Sequence, residues 1–282
     1  MTANASVLRA PAKLTLSLRV DHLRADGFHE LDALAVMLDE PHDELTVTPR
    51  DAPGVDLVVE GGEADLPSGP ENLVVRAATA VLPLGDVRGL TVHLVKRVPS
   101  GGGLGGGSAD AAAILRWARD VAGASAALIT RVAEEIGSDV PVCVLGGAAR
   151  MRGRGEVLDA VGLDGLVHGV VAVPPFRLAT PAVYRAWDAL GGPRSTRALP
   201  APVAVAGLID ELVNDLEPAA EEIEPELRPY RELVETVTAR PAILAGSGSA
   251  HFVPCPTGEE AAEALARARA AGITAWAARS QS

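Results

Sequence analysis

Hydrophobic and polar residues alternate along much of the N-terminal third of the chain, and this period of two predicts β-strands. The alternating segments lie at residues 7–20, 44–48, 55–60 and 89–98. A polar segment with the turn dipeptide Asp26-Gly27 precedes an apolar run at 31–38. The chain is therefore predicted to begin as strands joined by turns.

In other segments apolar residues recur every three or four positions, which predicts helices. These segments are residues 70–82, 108–121, 125–136, 181–190, 203–216, 219–239 and 258–271. Ser108 is placed to cap the second helix, and Pro225 and Pro229 interrupt the sixth. Further strands are predicted after GSDVP at 137–141, at 167–173, on both sides of a glycine turn in 243–255, and at 273–280.

This mixture of strands and helices predicts an α+β fold. At 282 residues the chain is long enough for one large domain or two smaller ones. The composition changes near residues 150–165, where MRGRGE gives way to a new series of elements. We therefore expect two domains, residues 1–155 and residues 156–282.

The formal charge of −12 argues against a nucleic-acid or membrane-surface binder, because both need a basic face. No apolar run is long enough for a transmembrane helix, and the first residues lack the apolar core of a signal peptide. A cytoplasmic protein is expected. Cys143 and Cys255 stand alone in apolar stretches, which favours small buried side chains over a disulfide or a metal site.

Lysine is rare in this chain. Of 25 basic residues only Lys13 and Lys96 are lysines, and the others are arginines. A lysine retained in an arginine background indicates that a compact ammonium is needed at that position, although chance would also give this pattern.

The strongest local signal is a strand, then PSGGGLGGGS, then a helix. Glycines let backbone N–H groups approach a ligand closely, and the following helix points its free N–H groups into the loop, which predicts a phosphate site. A surface linker is the alternative. The loop lacks the lysine of a Walker A motif, and its fit to a dinucleotide-binding turn is poor. The predicted ATP-binding residues are Pro99, Ser100, Gly101, Gly102, Gly103, Leu104, Gly105, Gly106, Gly107, Ser108 and Ala109.

Three weaker signals accompany this loop. Lys13 opens the first strand, Asp139 lies in GSDVP between two predicted elements, and GSGS at 246–249 forms a second glycine turn. Taken singly, they would be a surface lysine, a capping aspartate and a hairpin. Phosphoryl transfer needs a phosphate cradle, a cation and a base for the accepting hydroxyl, so together they predict a kinase acting on a small anionic metabolite.

The order PAK, DGFHEL, PSGGGLGGGSADAAA, GSDVP and GSGSAHF resembles the GHMP superfamily of small-molecule kinases over nearly the whole chain. The resemblance implies an N-terminal ribosomal-S5-like domain that binds ATP and a C-terminal ferredoxin-like domain. RADGFHEL and GSDVP resemble the members that serve non-mevalonate isoprenoid biosynthesis. It therefore implies ATP with Mg²⁺ as cofactors and a cytidyl diphosphate, phosphorylated on its 2-hydroxyl, as substrate.

The resemblance also implies roles for individual residues. Asp139 matches the catalytic aspartate and Lys13 its lysine partner, while Ser108 is the one candidate magnesium ligand. Phe28 and His29 match a cytosine-recognising pair, and Tyr184 the second aromatic residue that stacks on the base. The implied substrate-binding residues are Phe28, His29, Thr180, Tyr184, Asn214, Gly246, Ser247 and Gly248.

The chain departs from the family pattern at three places. Thr15 replaces an asparagine, and Phe28 replaces a tyrosine. The last loop reads Gly248-Ser249-Ala250-His251, where the family usually has Gly-Ala or Gly-Pro followed by Thr or Ser. A GHMP kinase for another alcohol, a non-catalytic nucleotide-binding protein and a nicotinamide-dependent oxidoreductase remain alternatives at this point. The sequence leaves the oligomeric state open.

Overall fold

The chain forms two compact units, each assembled from separate stretches of sequence. The computed structural model describes residues 5–62, 66–82, 87–192, 205 and 211–281. The first unit comprises Met1–Ala12, His42–Ser100 and Gly105–Leu145, and the second comprises Lys13–Pro41, Gly101–Leu104 and Gly146–Ser282. The backbone thus passes repeatedly from one unit to the other, and the division at residue 155 remains a prediction.

The strands of the described residues are β1 (Ser6–Leu23), β2 (His29–Arg50), β3 (Gly54–Gly61), β4 (Gly89–Lys96), β5 (Ala148–Gly153), β6 (Val157–Ala160), β7 (His168–Ala172), β8 (Ile243–Leu244), β9 (His251–Cys255) and β10 (Ala275–Arg279). The helices are α1 (Leu73–Val81), α2 (Gly106–Val121), α3 (Ala126–Ile136), α4 (Val140–Leu145), α5 (Thr180–Ala189), α6 (Glu217–Ile223), α7 (Leu227–Thr238) and α8 (Gly258–Ala270).

In the first unit β3 runs parallel to β4, and β4 runs antiparallel to the second half of β2. Helix α1 packs on β3 and α2, and α2 packs on α4. Asn72 caps α1 and Ser125 caps α3, each through a side-chain oxygen that accepts a backbone N–H. The aliphatic core of this unit includes Leu45, Val47, Leu90, Val92, Leu94, Ile114 and Leu115.

In the second unit the first half of β2 pairs antiparallel with β5, and β5 pairs with β6. A separate antiparallel sheet has the order β10-β7-β9-β8. Helix α8 packs on β7 and β10, and α7 packs on α8. The core between them includes Val170, Ala172, Val234, Val253, Cys255, Ala264 and Ala268. Gly169 makes room for the Phe252 ring, since a Cβ there would lie 2.3 Å from it.

Most predicted elements are present, with four corrections. Residues 140–145 form helix α4 and not a strand, because a short apolar run has no diagnostic period. The second predicted helix begins at Gly106, so Ser108 lies inside it and does not cap it. The segments 31–38 and 44–48 belong to one strand, β2. Half of the predicted helix 203–216 lies outside the described residues, and 212–214 is not helical.

Cys143 and Cys255 are both buried, as the sequence predicted, and neither forms a disulfide bond. No helix among the described residues is both long enough and apolar enough to cross a membrane.

Candidate active site

The glycine loop bends through left-handed backbone before helix α2 begins. Gly101, Gly103 and Gly105 have φ of 73°, 73° and 64°, a region that residues with a Cβ rarely enter. Helix α2 starts at Gly106, and no side chain of the described residues caps it. Its first N–H groups and the positive end of its dipole are therefore available to an anion. This geometry suits the phosphates of a nucleotide.

Within the second unit, loop residues 101–104 are held by backbone hydrogen bonds. Ser249 N donates to Gly101 O at 3.3 Å, and Ala250 N donates to Gly102 O at 3.3 Å. The segments lie so close that a Cβ on Gly103 would be 2.3 Å from the Ala245 carbonyl oxygen. The departure Ser249-Ala250 therefore contributes backbone contacts to the loop.

Lys13 lies at the other side of this loop segment. Its backbone N–H donates to Leu104 O at 2.9 Å, and its ammonium donates to Thr15 Oγ1 at 3.0 Å. Both side chains are buried. Thr15, which replaces the asparagine of the family pattern, thus still offers an oxygen to the lysine. A buried ammonium is a strong local source of positive charge in an acidic protein.

Asn214 anchors the second glycine turn. Its Nδ2 donates to the carbonyl oxygens of Leu244 and Gly246, both at 2.7 Å, and its Oδ1 accepts from Leu216 N at 2.9 Å. The amide nitrogen is therefore used in shaping the turn, and the amide oxygen binds the residue that precedes α6. In the same turn Ser247 Oγ is hydrogen-bonded to Thr180 Oγ1 at 2.7 Å.

His29, the first residue of β2, is surrounded by residues of helix α5. Tyr184 stacks on the imidazole with a centroid distance of 4.9 Å and an interplanar angle of 25°. Trp187 meets it edge-on at 5.5 Å, and Asp188 Oδ1 lies 2.9 Å from His29 Nε2. That Phe28 and Tyr184 enclose a base between their rings stays a prediction. Phe28 is 45% exposed and carries the Arg154 guanidinium over its ring at 5.0 Å.

A buried ion cluster lies beside the helix end of the glycine loop in the first unit. The Lys96 ammonium donates to Asp43 Oδ2 and, at 2.7 Å, to Asp110 Oδ2. It is also close to Gly106, whose Cβ would lie 3.2 Å from it. Burial alone would lower the pKa of Lys96, but the charges of Asp110 and Asp43 outweigh it and raise that pKa.

The two carboxylates of this cluster differ in the hydrogen bonds that they accept. Asp43 Oδ1 accepts from the backbone N–H groups of Arg97 and Val98 at 2.5 and 2.8 Å. Asp110 Oδ1 is buried without a hydrogen-bond partner among the described residues. Burial raises the pKa of Asp110 to about 8, against the attraction of Lys96. The proton that relieves the excess negative charge therefore belongs on Asp110.

Asp139 is half-buried in the first unit, immediately before α4. Its carbonyl oxygen accepts from Cys143 N at 3.3 Å, so its backbone begins the helix. A carboxylate at a helix start is favourably placed relative to the dipole. No group of three or more His, Cys, Asp or Glu suited to a metal ion occurs in the described part of the chain.

Sequence reasoning missed Trp187 and Asp188 beside His29, and Asp43 and Asp110 beside Lys96. The spacing of Tyr184, Trp187 and Asp188 at i, i+3 and i+4 was an available signal, because such residues share one helix face. The scarcity of lysine did single out Lys96, without indicating its partners.

Comparison with known proteins defines the class. The family model for the GHMP kinases N terminal domain matches residues 72–147, and that for the GHMP kinases C terminal region matches 203–274. The chain belongs to the GHMP kinase family and is an ATP-dependent small-molecule kinase. The predicted two-domain α+β fold of this family is confirmed.

Individual relatives show which kinases of this family the chain is similar to. The chain is 39% identical to a 4-diphosphocytidyl-2-C-methyl-D-erythritol kinase of Pelotomaculum thermopropionicum, over 92% of each chain. It is 37% identical to the kinase of the same name from Streptomyces coelicolor, over 86% of this chain and 84% of that one. A crystal structure of 4-(cytidine 5'-diphospho)-2C-methyl-D-erythritol kinase matches with a TM-score of 0.82 and 33% identity, covering 98% of this chain and 100% of the other.

Proposed function

We propose that this protein transfers the γ-phosphoryl group of ATP to the 2-hydroxyl of 4-diphosphocytidyl-2-C-methyl-D-erythritol, a step in isoprenoid precursor synthesis. Relatives at 37–39% identity that carry this name support the proposal. So does the sequence RADGFHEL at residues 24–31, which includes His29.

The observation that carries the proposal is the environment of His29. The imidazole is nearly buried, stacks on Tyr184 and is hydrogen-bonded to Asp188. His29 provides a flat ring with a polar edge, and Phe28, the preceding residue, provides an exposed aromatic ring. Together they suit a neutral nucleobase that both stacks and forms hydrogen bonds. An acceptor without a base, such as a simple hydroxy acid, would leave these groups unused.

Asp139 is proposed as the base and Lys13 as the cation of the reaction. The acceptor oxygen forms a bond to the γ-phosphorus while the bond from phosphorus to the β–γ bridging oxygen breaks. The hydroxyl proton passes to the Asp139 carboxylate, and ADP leaves. The Lys13 ammonium would offset negative charge that develops on the phosphate oxygens.

The glycine loop and the start of α2 are proposed to hold the ATP phosphates through backbone N–H groups. Mg²⁺ bound with ATP keeps water and phosphate oxygens as ligands and needs few from the protein. The Ser108 hydroxyl, in the first turn of α2, is the proposed protein ligand. When bound, the ion neutralises charge on the phosphates. A cytoplasmic location, where ATP is supplied, is part of the proposal.

The test is ADP release with MgATP and 4-diphosphocytidyl-2-C-methyl-D-erythritol, with mevalonate and homoserine as parallel acceptors. Release that depends on the cytidyl compound is the expected result. Release only with another alcohol would overturn the substrate and leave the kinase class intact. ADP release with none of the acceptors would contradict the proposed reaction and favour a nucleotide-binding role.

A further inference from the structure

One helix face holds the His29 ring from three directions. Tyr184, Trp187 and Asp188 lie at i, i+3 and i+4 on α5, so their side chains leave the same side of the helix. Tyr184 stacks on one face of the imidazole, Trp187 lies nearly perpendicular to it, and Asp188 Oδ1 lies 2.9 Å from Nε2. The ring therefore has little freedom to rotate or to exchange partners.

The partner at Nε2 determines what the other ring nitrogen can do. An ionised carboxylate only accepts hydrogen bonds, so Nε2 must carry the proton that it donates to Asp188. In the neutral imidazole Nδ1 is then unprotonated and is an acceptor. Asp188 side-chain exposure of 43%, against 8% for His29, places the carboxylate at the solvent side of a buried ring.

We propose that Asp188 is a positioning residue that fixes His29 as the Nε2–H tautomer and thereby makes the kinase prefer cytosine over uracil in its acceptor substrate. Cytosine presents an amino group at C4, and uracil presents a carbonyl oxygen there. An Nδ1 acceptor pairs with the amino group and opposes the carbonyl oxygen. The inference rests on the proposed function, because it concerns the base of that substrate.

The decisive variant is Asp188→Asn, which keeps the shape of the side chain. Its amide can turn its nitrogen toward Nε2, which then accepts, and the imidazole proton moves to Nδ1. The same exchange beside a catalytic histidine is known to leave geometry intact and give the wrong tautomer. Asp188→Glu retains a carboxylate and is the conservative variant. Asp51→Asn removes a charge from the exposed turn at 51–53 and is the matched charge control.

The first readout is the ratio of kcat/KM for the cytidyl substrate to that for its uridyl analogue. Asp188→Asn is expected to lower this ratio by roughly ten- to a hundredfold. Asp188→Glu should recover part of the preference, and Asp51→Asn should leave it unchanged. A merely structural role for Asp188 would leave the ratio of the isosteric asparagine variant close to wild type, and that result overturns the inference.

Two further readouts do not depend on turnover. Long-range ¹H–¹⁵N NMR, with the His29 signals assigned from a His29→Asn variant, should show protonated Nε2 in the wild type and protonated Nδ1 in Asp188→Asn. Calorimetry with CDP and UDP, the ATP site being filled by a non-hydrolysable analogue, should show tighter CDP binding in the wild type only. If the cytidyl compound is not phosphorylated but both readouts agree, the proposed function fails and the tautomer assignment stands. If Nδ1 and not Nε2 is protonated in the wild type, the tautomer assignment is overturned.

Discussion

Lys96 donates to Asp110 Oδ2 at 2.7 Å, and both side chains are almost completely buried in the first unit. Because Asp43 shares the same ammonium, the cluster has one more carboxylate than cations. Stability should therefore depend on the protonation of Asp110, which has the less satisfied carboxylate.

The raised pKa of Asp110 predicts that the folded protein loses stability as the pH rises. This pKa is raised from 3.8 to about 8 in the folded protein, so the folded state binds a proton that the unfolded state has lost. The free energy of unfolding should fall as pH rises from 5 to about 8, by on the order of 1 kcal/mol per pH unit from this group, and then level off. Asp110→Asn should remove this slope. The check is the difference between wild type and variant in urea denaturation across that range, and parallel curves would contradict the raised pKa.

The lowered pKa of His251 predicts the opposite pH dependence, a loss of stability as the pH falls. His251 is buried at the start of β9, and its ring nitrogens have no hydrogen-bond partner in the described part of the chain. Burial, reinforced by the charge of Arg231, lowers the pKa of His251 to about 4, and the backbone of Ser249 offsets this only in part. As pH falls below 6.5 the unfolded state binds a proton that the folded state refuses, so stability should decrease down to about pH 4.

The variant His251→Phe should lack the acid-side slope contributed by His251. The informative quantity is the change in its unfolding free energy between pH 7.5 and 5, compared with the same change in wild type. This comparison cancels any cost of fitting a larger ring. Equal changes in the two proteins would show that His251 titrates normally in the folded state.

Gly103→Ala should be much more damaging than Gly123→Ala. The two glycines have φ of 73° and 69°, so an alanine suffers similar backbone strain at either position, about 1–2 kcal/mol. Only at Gly103 would the new Cβ also meet backbone, 2.3 Å from Ala245 O, whereas nothing lies within 4 Å at Gly123. The extra loss in unfolding free energy, with a raised KM for ATP, measures this close approach. Equal effects would mean that the loop and turn are not in contact.

Asn214→Asp should be worse than Asn214→Ala. The amide nitrogen donates to two carbonyl oxygens, and an aspartate would oppose both with a second acceptor. We expect Asn214→Asp to lose roughly 1–3 kcal/mol of stability beyond the alanine variant, together with activity. Ser125→Ala, which removes the cap of α3, is the control and should cost about 1 kcal/mol. An aspartate variant as stable as the alanine variant would argue against these hydrogen bonds.

Asp139→Asn tests the proposed base. Turnover should fall by roughly a hundred- to ten-thousandfold, because an amide cannot accept the hydroxyl proton. The affinity for ATP should stay within a few fold. Asp159→Asn, which breaks an exposed ion pair with Arg152, should change neither quantity. If Asp139→Asn retains most of the activity, another group is the base.

Much of the fold could be predicted from periodicity, because most elements are half-buried and have a polar face. Helix α4 could not, since VPVCVL is apolar throughout and Pro141 lies in a first turn, where its missing N–H costs nothing. The early start of α2 was missed because glycines disfavour helices. Here Gly106 and Gly107 are helical, following the left-handed Gly105.

The site was predictable where its residues are adjacent in sequence, as in the glycine loop. The site could not be predicted where its residues are distant in sequence. Lys96 could be singled out, but Asp43 is 53 positions away, and Asp188 is 159 positions from His29. Such pairs depend on strand register and helix docking, which periodicity does not encode.

The interleaving of the two compact units has a consequence for dissecting this kinase by fragment expression. A C-terminal fragment that starts at Gly146 would contain β5 but not the residues Leu31–Val36 of β2 that pair with it. Strand β5 would then present an open edge of N–H and C=O groups, a template for self-association. The two halves of the gene are thus expected to yield aggregating products when expressed apart, and to become soluble only when co-expressed.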